Sequence, residues 1–174
     1  MSNSMNALRN IQSVELCAGL TRLKEEHVPL LEKIDSILLL SEQIENEEDS
    51  HKSFADLKNL VELFQLELKP HSQREEEGLF QLLGIYIGTT SGPVVVNTDE
   101  HKQARALLGA FLEKAGNDKL TLREIKESIE GIRSAANLLK NHFAKEENIL
   151  FPKAESLLSE QEKAELYSKM QEIN

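Results

Sequence analysis

Cysteine is nearly missing: Cys17 is the only one. A single thiol excludes an intramolecular disulfide framework and any cysteine-rich zinc or iron–sulfur site. No activating group neighbours it in sequence, so it reads as an inert thiol in an apolar stripe. Tryptophan is absent, and eight Gly and four Pro among 174 residues are too few for a loop-rich fold or a β-sandwich. No apolar run approaches the ~20 residues of a membrane-spanning helix. The first ten residues, MSNSMNALRN, lack the basic-then-apolar layout of a signal peptide. A cytoplasmic protein without a membrane partner is expected. Basic residues are also in short supply, 20 Lys and Arg against 30 Asp and Glu, for a net charge of −10. Phosphate binding needs a basic face, so nucleic acid is excluded as the main partner.

What remains favours helices, since Leu, Glu and Lys are abundant. The length predicts a single domain over residues 1–174, large enough to bury one core. Apolar residues recur at spacings of three, four and seven from about Ser13 to about Ser41, with Pro29 expected to kink that helix or restart it. The acidic stretch EQIENEEDSHK reads as a helix end and a loop. A second helix starts near Ser53 and is interrupted at Pro70. The stretch IYIGTTSGPVVVNTDEH looks like a connection, with Pro93 near the start of a third helix that runs to about Ala115. Val94–Val96 could form a short strand but would have no partner. Thr121 with Glu124 is a capping box that starts the fourth helix, which Phe151–Pro152 ends or bends. Ser159 with Glu162 is a second box, opening a short helix over about 159–172. The expected fold is all-α: an up-and-down antiparallel four-helix bundle over about 13–152, with a short appended C-terminal helix.

Histidine is scarce but patterned. Four of the five fall in two matched pairs. HSQREEEGLF from His71 matches HFAKEENILF from His142, with Glu four residues after His and Phe nine after. EEH at His27 matches DEH at His101. Helices one and two thus repeat as helices three and four, at offsets of 71 and 74 residues. Residues i and i+4 share a helix face, so His71 with Glu75, and His142 with Glu146, can each point at one centre. His27 and His101 each add a nitrogen. Four imidazoles and two carboxylates suit two metal ions, with two imidazoles for each and both carboxylates bridging. Nitrogen and oxygen donors without sulfur suit Fe, Mn or Zn. Leu31, Phe64, Leu68, Leu108, Leu138, Leu139 and Ile149, one turn away, would keep the centre dry. His51, in the acidic loop, reads as solvated surface. Glu76, Glu77 and Glu147 point about 100° or more around the helix and read as surface or supporting groups.

His27, the His71–Glu75 element, His101 and the His142–Glu146 element together resemble a hemerythrin-like domain, also called the HHE cation-binding domain. The resemblance covers about Leu20 to Pro152, including the lead-in GPVVVNTDEH and the ending Leu150, Phe151, Pro152. It implies a four-helix bundle holding two Fe ions with an oxo or hydroxo bridge. Members bind O2 reversibly, sense oxygen or redox state, or protect against NO, and some take part in repairing iron–sulfur centres. Oxygen-carrying members have a further His one turn after the helix-three ligand, where this chain has Arg105. Their helix-four carboxylate lies five residues after its His and is usually Asp, whereas Glu146 lies four after. Four His and two Glu are more similar to the nitric-oxide-responsive, repair-associated branch, whose members often carry an extra N-terminal cysteine-containing domain. A chain of this length has no room for one.

The resemblance therefore implies a di-iron protein that binds or reacts with O2 or NO, in oxygen or redox sensing or in nitrosative and oxidative stress, served by a redox partner. The alternatives are an iron donor for iron–sulfur repair and an enzyme reducing NO or peroxide, with Tyr86 and Arg105 as candidate supporting groups. A third class is a metal-free module that recruits a basic partner through its acidic faces. Ferritin-like centres need Glu-x-x-His on two helices, and only Glu48 with His51 fits that spacing. The zinc-protease pattern, a phosphate loop and a serine nucleophile elbow are absent.

Overall fold

A computed structural model describes residues 14–174. The leader reading of residues 1–10 and the expected helix start at Ser13 lie outside the described residues. Those described form five continuous helical units and no strand. The first is α1 (Ala18–Asn46). The second is α2 (His51–Arg74), which passes through a π-helical segment, π1 (Glu75–Leu79), into α3 (Phe80–Ile87). The third is α4 (Pro93–Ala115). The fourth is α5 (Leu122–Lys145), which passes through π2 (Glu146–Leu150) into α6 (Phe151–Leu157). The last is α7 (Glu160–Glu172).

Several boundaries differ from the sequence pattern, each for a physical reason. α1 runs past Ser41 to Asn46 because Ile37, Ser41 and Ile44 continue its buried face, which shortens the expected acidic loop. α2 begins at His51, and Phe54 N–H donates to the Ser50 carbonyl at 2.8 Å. Pro29 and Pro70 lie inside α1 and α2 without restarting them. Each removes one donor, and the surrounding turns hold the helix across the gap. The chain also remains helical through Phe151–Pro152 to Leu157, since Pro152 occupies the first turn of α6, where its missing donor is tolerated. Val94–Val96 is helical. Both capping boxes form as the sequence predicts: Thr121 with Glu124, and Ser159 with Glu162.

α1 packs on α2 and α5, and α4 packs on α5 and α2. Two apolar clusters fill the interior. One holds Leu30, Ile34, Phe64, Leu68, Leu108, Leu139 and Phe143 among others. The other holds Leu20, Leu23, Leu79, Phe80, Leu150, Phe151, Leu166 and Met170. On every long helical unit a histidine falls between residues of the two clusters: His27 between Leu23 and Leu30, His71 between Leu68 and Leu79, His101 between Val94 and Ala104, and His142 between Leu139 and Leu150. A polar layer is thereby sealed between two apolar ones. Among the described residues no helix is long and apolar enough to cross a membrane.

Candidate metal centre

All six residues singled out by spacing meet in that layer. His27, His71, Glu75, His101, His142 and Glu146 are buried, four of them with no solvent exposure at all. They form two groups: His27, His71, Glu75 and Glu146, and Glu75, His101, His142 and Glu146. In each group one potential ligand atom per residue lies within 4.8 Å of every other. Both glutamates belong to both groups. His71 Nε2 lies 3.4 Å from Glu75 Oε1, and His101 Nε2 lies 3.2 Å from Glu75 Oε2. His142 Nε2 lies 3.0 Å from Glu146 Oε1, and His27 Nε2 lies 3.3 Å from Glu146 Oε2. His101 and His142 bring their Nε2 atoms to 2.9 Å of each other.

The opposite ring nitrogens all face carboxylates, and these follow one rule. His27 Nδ1 meets Glu147 at 2.8 Å, His71 Nδ1 meets Glu26 at 2.9 Å, His101 Nδ1 meets Glu76 at 2.8 Å, and His142 Nδ1 meets Glu100 at 2.8 Å. Each imidazole is backed by the helical unit before it in the chain, and the fourth unit backs the first. The ring is closed. A carboxylate accepts only from a protonated Nδ1, so each outer glutamate selects the tautomer whose Nε2 lone pair points inward.

With that tautomer, the interior contains acceptors and no donor. His27 Nε2, His71 Nε2, both Glu75 oxygens and both Glu146 oxygens are buried without a hydrogen-bond partner. Leaving such groups unsatisfied costs about 1–3 kcal/mol each, more when charged. A cation at the centre removes the penalty, and the donor set of imidazole nitrogens and carboxylate oxygens fits a transition metal. Without a metal, protons take that role. Burial opposes charge on His71, but the Glu75 carboxylate and hydrogen bonds to Glu26 and Glu75 outweigh it and push the imidazole up to about 10. His101 is pushed up to about 9 against its burial, by Glu75 and Glu76. His142 is raised, again against burial, by Glu146 and Glu75. Burial would raise Glu75, yet His71 and His101 hold its carboxyl well below the usual range.

The π segments explain how the sequence repeat builds this. Each begins at an inner glutamate, Glu75 or Glu146, and each closes with a bond from the Phe80 or Phe151 N–H back to that glutamate's carbonyl. The extra residue per turn turns the next glutamate, Glu76 or Glu147, toward a neighbouring histidine, and it buries the phenylalanine that ends the repeat. Phe80 stacks on His101 at 5.6 Å, and Phe151 stacks on His27 at 5.6 Å. Phe143 lies closer still, stacked on His27 at 4.2 Å. π segments of this kind are frequent at functional sites.

Two sequence expectations need correction, those for Tyr86 and Ile149. Tyr86 is not near the centre; it is exposed and donates to Glu162 at 2.7 Å, at the start of α7. Ile149 is exposed and gives no dry wall, because the π turn rotates it outward. Glu77 is exposed, whereas Glu76 and Glu147 are supporting groups. Arg105 pairs with Glu76 at 2.8 Å and so steadies His101 from outside. His51 is on the surface but tethered, to Asp49 at 2.8 Å and the Leu120 carbonyl at 3.1 Å. Cys17 is half-buried; burial is the first cause that raises its thiol, and Glu155 adds to it. Two supporting residues were missed, Glu26 and Glu100. Their signal was the shared acid just before His27 and His101, which serves not that histidine but the one on the next unit.

No curated protein matches the chain. The family described as Hemerythrin HHE cation binding domain matches residues 18–167. That span takes in all six inner residues, all four outer carboxylates and both π segments, and the chain belongs to the hemerythrin HHE cation-binding family.

Proposed function

We propose that the chain holds two iron ions and binds or reacts with O2 or NO, in oxygen or redox sensing or in the response to nitrosative and oxidative stress. His27 and His71 hold one ion, His101 and His142 hold the other, and Glu75 and Glu146 serve both. The observation that carries this reading is the convergence of inward lone pairs, with Nδ1 of every histidine already committed to a carboxylate. The up-and-down arrangement of the four long units accompanies it, supported by short connections and by the packing of each unit on two others.

When bound, iron supplies one-electron redox chemistry and coordination positions open to a diatomic gas. The chain's own residues do the rest. Glu147, Glu26, Glu76 and Glu100 hold the four imidazoles in the ligating tautomer. Glu75 and Glu146, members of both groups, would supply negative charge to both cations and so offset the repulsion of one for the other. Phe143, Phe151 and Phe80 cover the imidazole faces and exclude water. Arg105 occupies the outer side of His101, paired with Glu76, so it contributes position and not a ligand. Four imidazoles with two glutamates support the nitric-oxide-responsive, repair-associated branch over the oxygen carriers.

The test is iron content after anaerobic loading of the unaltered chain and of His71→Ala and Glu146→Ala. Both variants are expected to lose iron relative to the unaltered chain, and full iron content in both refutes the assignment. O2 or NO added to the reduced, loaded protein is expected to change its absorption spectrum. A spectrum indifferent to both gases refutes the gas-handling role while leaving the metal site standing.

A further inference from the structure

Among the described residues, the carboxylate behind His71 has more cationic side-chain partners than those behind the other three imidazoles, and Glu147 behind His27 has none besides that histidine. Glu76 leans on Arg105 and Glu100 on Lys145, and both of those cations are half-exposed. Glu26 is gripped by two guanidinium groups. Its Oε2 accepts from His71 Nδ1 at 2.9 Å, while its Oε1 accepts from Arg22 Nε at 3.1 Å and pairs with Arg74 Nη1 at 3.2 Å. Arg74 is buried, and its Nη2 donates to the Ile173 carbonyl at 3.0 Å. Arg22 Nη1 reaches the Met170 carbonyl at 3.5 Å. Met170 lies in the last turn of α7 and Ile173 just past its end, where carbonyls lack partners within the helix and a guanidinium is a fitting cap.

α7 in turn is seated on the elements that carry the ligands. Leu166 and Met170 are fully buried. Leu166 fits where Gly19 and Gly78 leave room, since a Cβ on either glycine would lie 3.1 Å from its side chain. Gly78 is in π1, three residues after Glu75. One path therefore runs from the end of α7 through Arg74 and Arg22 to Glu26, and from Glu26 to the inward lone pair of His71.

We propose that α7 is a positioning element of the metal centre, with Arg74 and Arg22 transmitting its seat to Glu26 and so to His71. The inference rests on the metal-binding reading above. The guanidinium of Arg74 is a rigid fork that engages Glu26 and Ile173 at once. With α7 displaced, the fork loses one anchor, Glu26 gains freedom to turn toward water, and His71 loses the group that fixes its tautomer. The metal then leaves faster.

The experiment measures transfer of Co(II) from the full-length loaded chain to an excess of chelator, with thermal melting of the metal-free chain alongside. Glu26→Gln and Arg74→Ala are each expected to speed release about tenfold, the low end for groups that support metal ligands. The double variant is expected to match the single ones, because both break the same path. Arg74→Lys keeps the charge and most of the packing, so it retains the metal-free melting temperature yet still speeds release, as an ammonium does not span both acceptors. Leu166→Ala loosens α7 without touching a charged group, and it is expected to speed release in the unaltered chain but not in the Arg74→Ala background. An unaltered chain that takes up no Co(II) overturns the metal reading and this inference with it. Uptake with unchanged release in Arg74→Ala and Arg74→Lys overturns the inference alone. So does a double variant whose release is the product of the single effects.

Discussion

Metal and protons compete for the same nitrogens, and the competition has a magnitude. In the metal-free chain His71 is pushed up to about 10 and His101 to about 9. At pH 7.5 both are almost fully protonated, and a ligating Nε2 must give up its proton. Loading the centre therefore releases about two protons from these residues, with a further contribution from His142, which is also raised. Released over two ions, that is about one proton per ion, so the apparent affinity for each ion rises about tenfold per pH unit between pH 6.5 and 8. Stability moves the other way in the metal-free chain. A histidine raised above its unfolded value stabilises fully below about pH 6.5, and that contribution is lost as pH rises through about 9 and 10. The metal-free melting temperature is thus expected to fall from neutral to alkaline pH, while the loaded protein holds its own. Calorimetric titration with Co(II), in buffers of different ionisation enthalpy, counts the protons directly. Release of fewer than one proton per chain, or affinity that ignores pH, refutes the reasoning.

Two further predictions concern the scaffold. Phe143→Ala removes a fully buried ring stacked at 4.2 Å on His27, and it is expected to cost about 3–5 kcal/mol, lowering the metal-free melting temperature by roughly 6–20 °C; a cost under about 1 kcal/mol contradicts the packing described. Thr121→Ala removes the capping box of α5 and is expected to cost about 1 kcal/mol, read by denaturant unfolding, with metal uptake unchanged because the cap lies far along the helix from His142.

Much of the centre was legible because its spacing is helical. His71 with Glu75 and His142 with Glu146 sit one turn apart, so the pattern alone puts each pair on a face, and the repeat supplies the partners. The caps at Thr121 and Ser159 are local and readable for the same reason. What could not be read depends on the π segments and on contacts between units. A five-residue turn begins at Glu75 and at Glu146 with no proline or glycine pair to announce it, and it moves Glu76, Phe80, Glu147 and Phe151 to places that a regular helix would not give them. Ile149 was misplaced by that same turn. Glu26 and Glu100 were visible as acids beside histidines, but which histidine each serves is decided across helices. The partners of Arg74, Glu26 on α1 and the Ile173 carbonyl just past α7, are likewise decided only by contacts between units.

The central claim is a pair of ions sharing Glu75 and Glu146. Its most direct test is anaerobic loading with Fe(II), removal of loosely held metal, iron analysis, and an electron paramagnetic resonance spectrum after oxidation. Two irons per chain are expected, spin-coupled through the shared centre, so that the oxidised protein gives no isolated high-spin ferric signal. One iron per chain with such a signal, or no retained iron, contradicts the account.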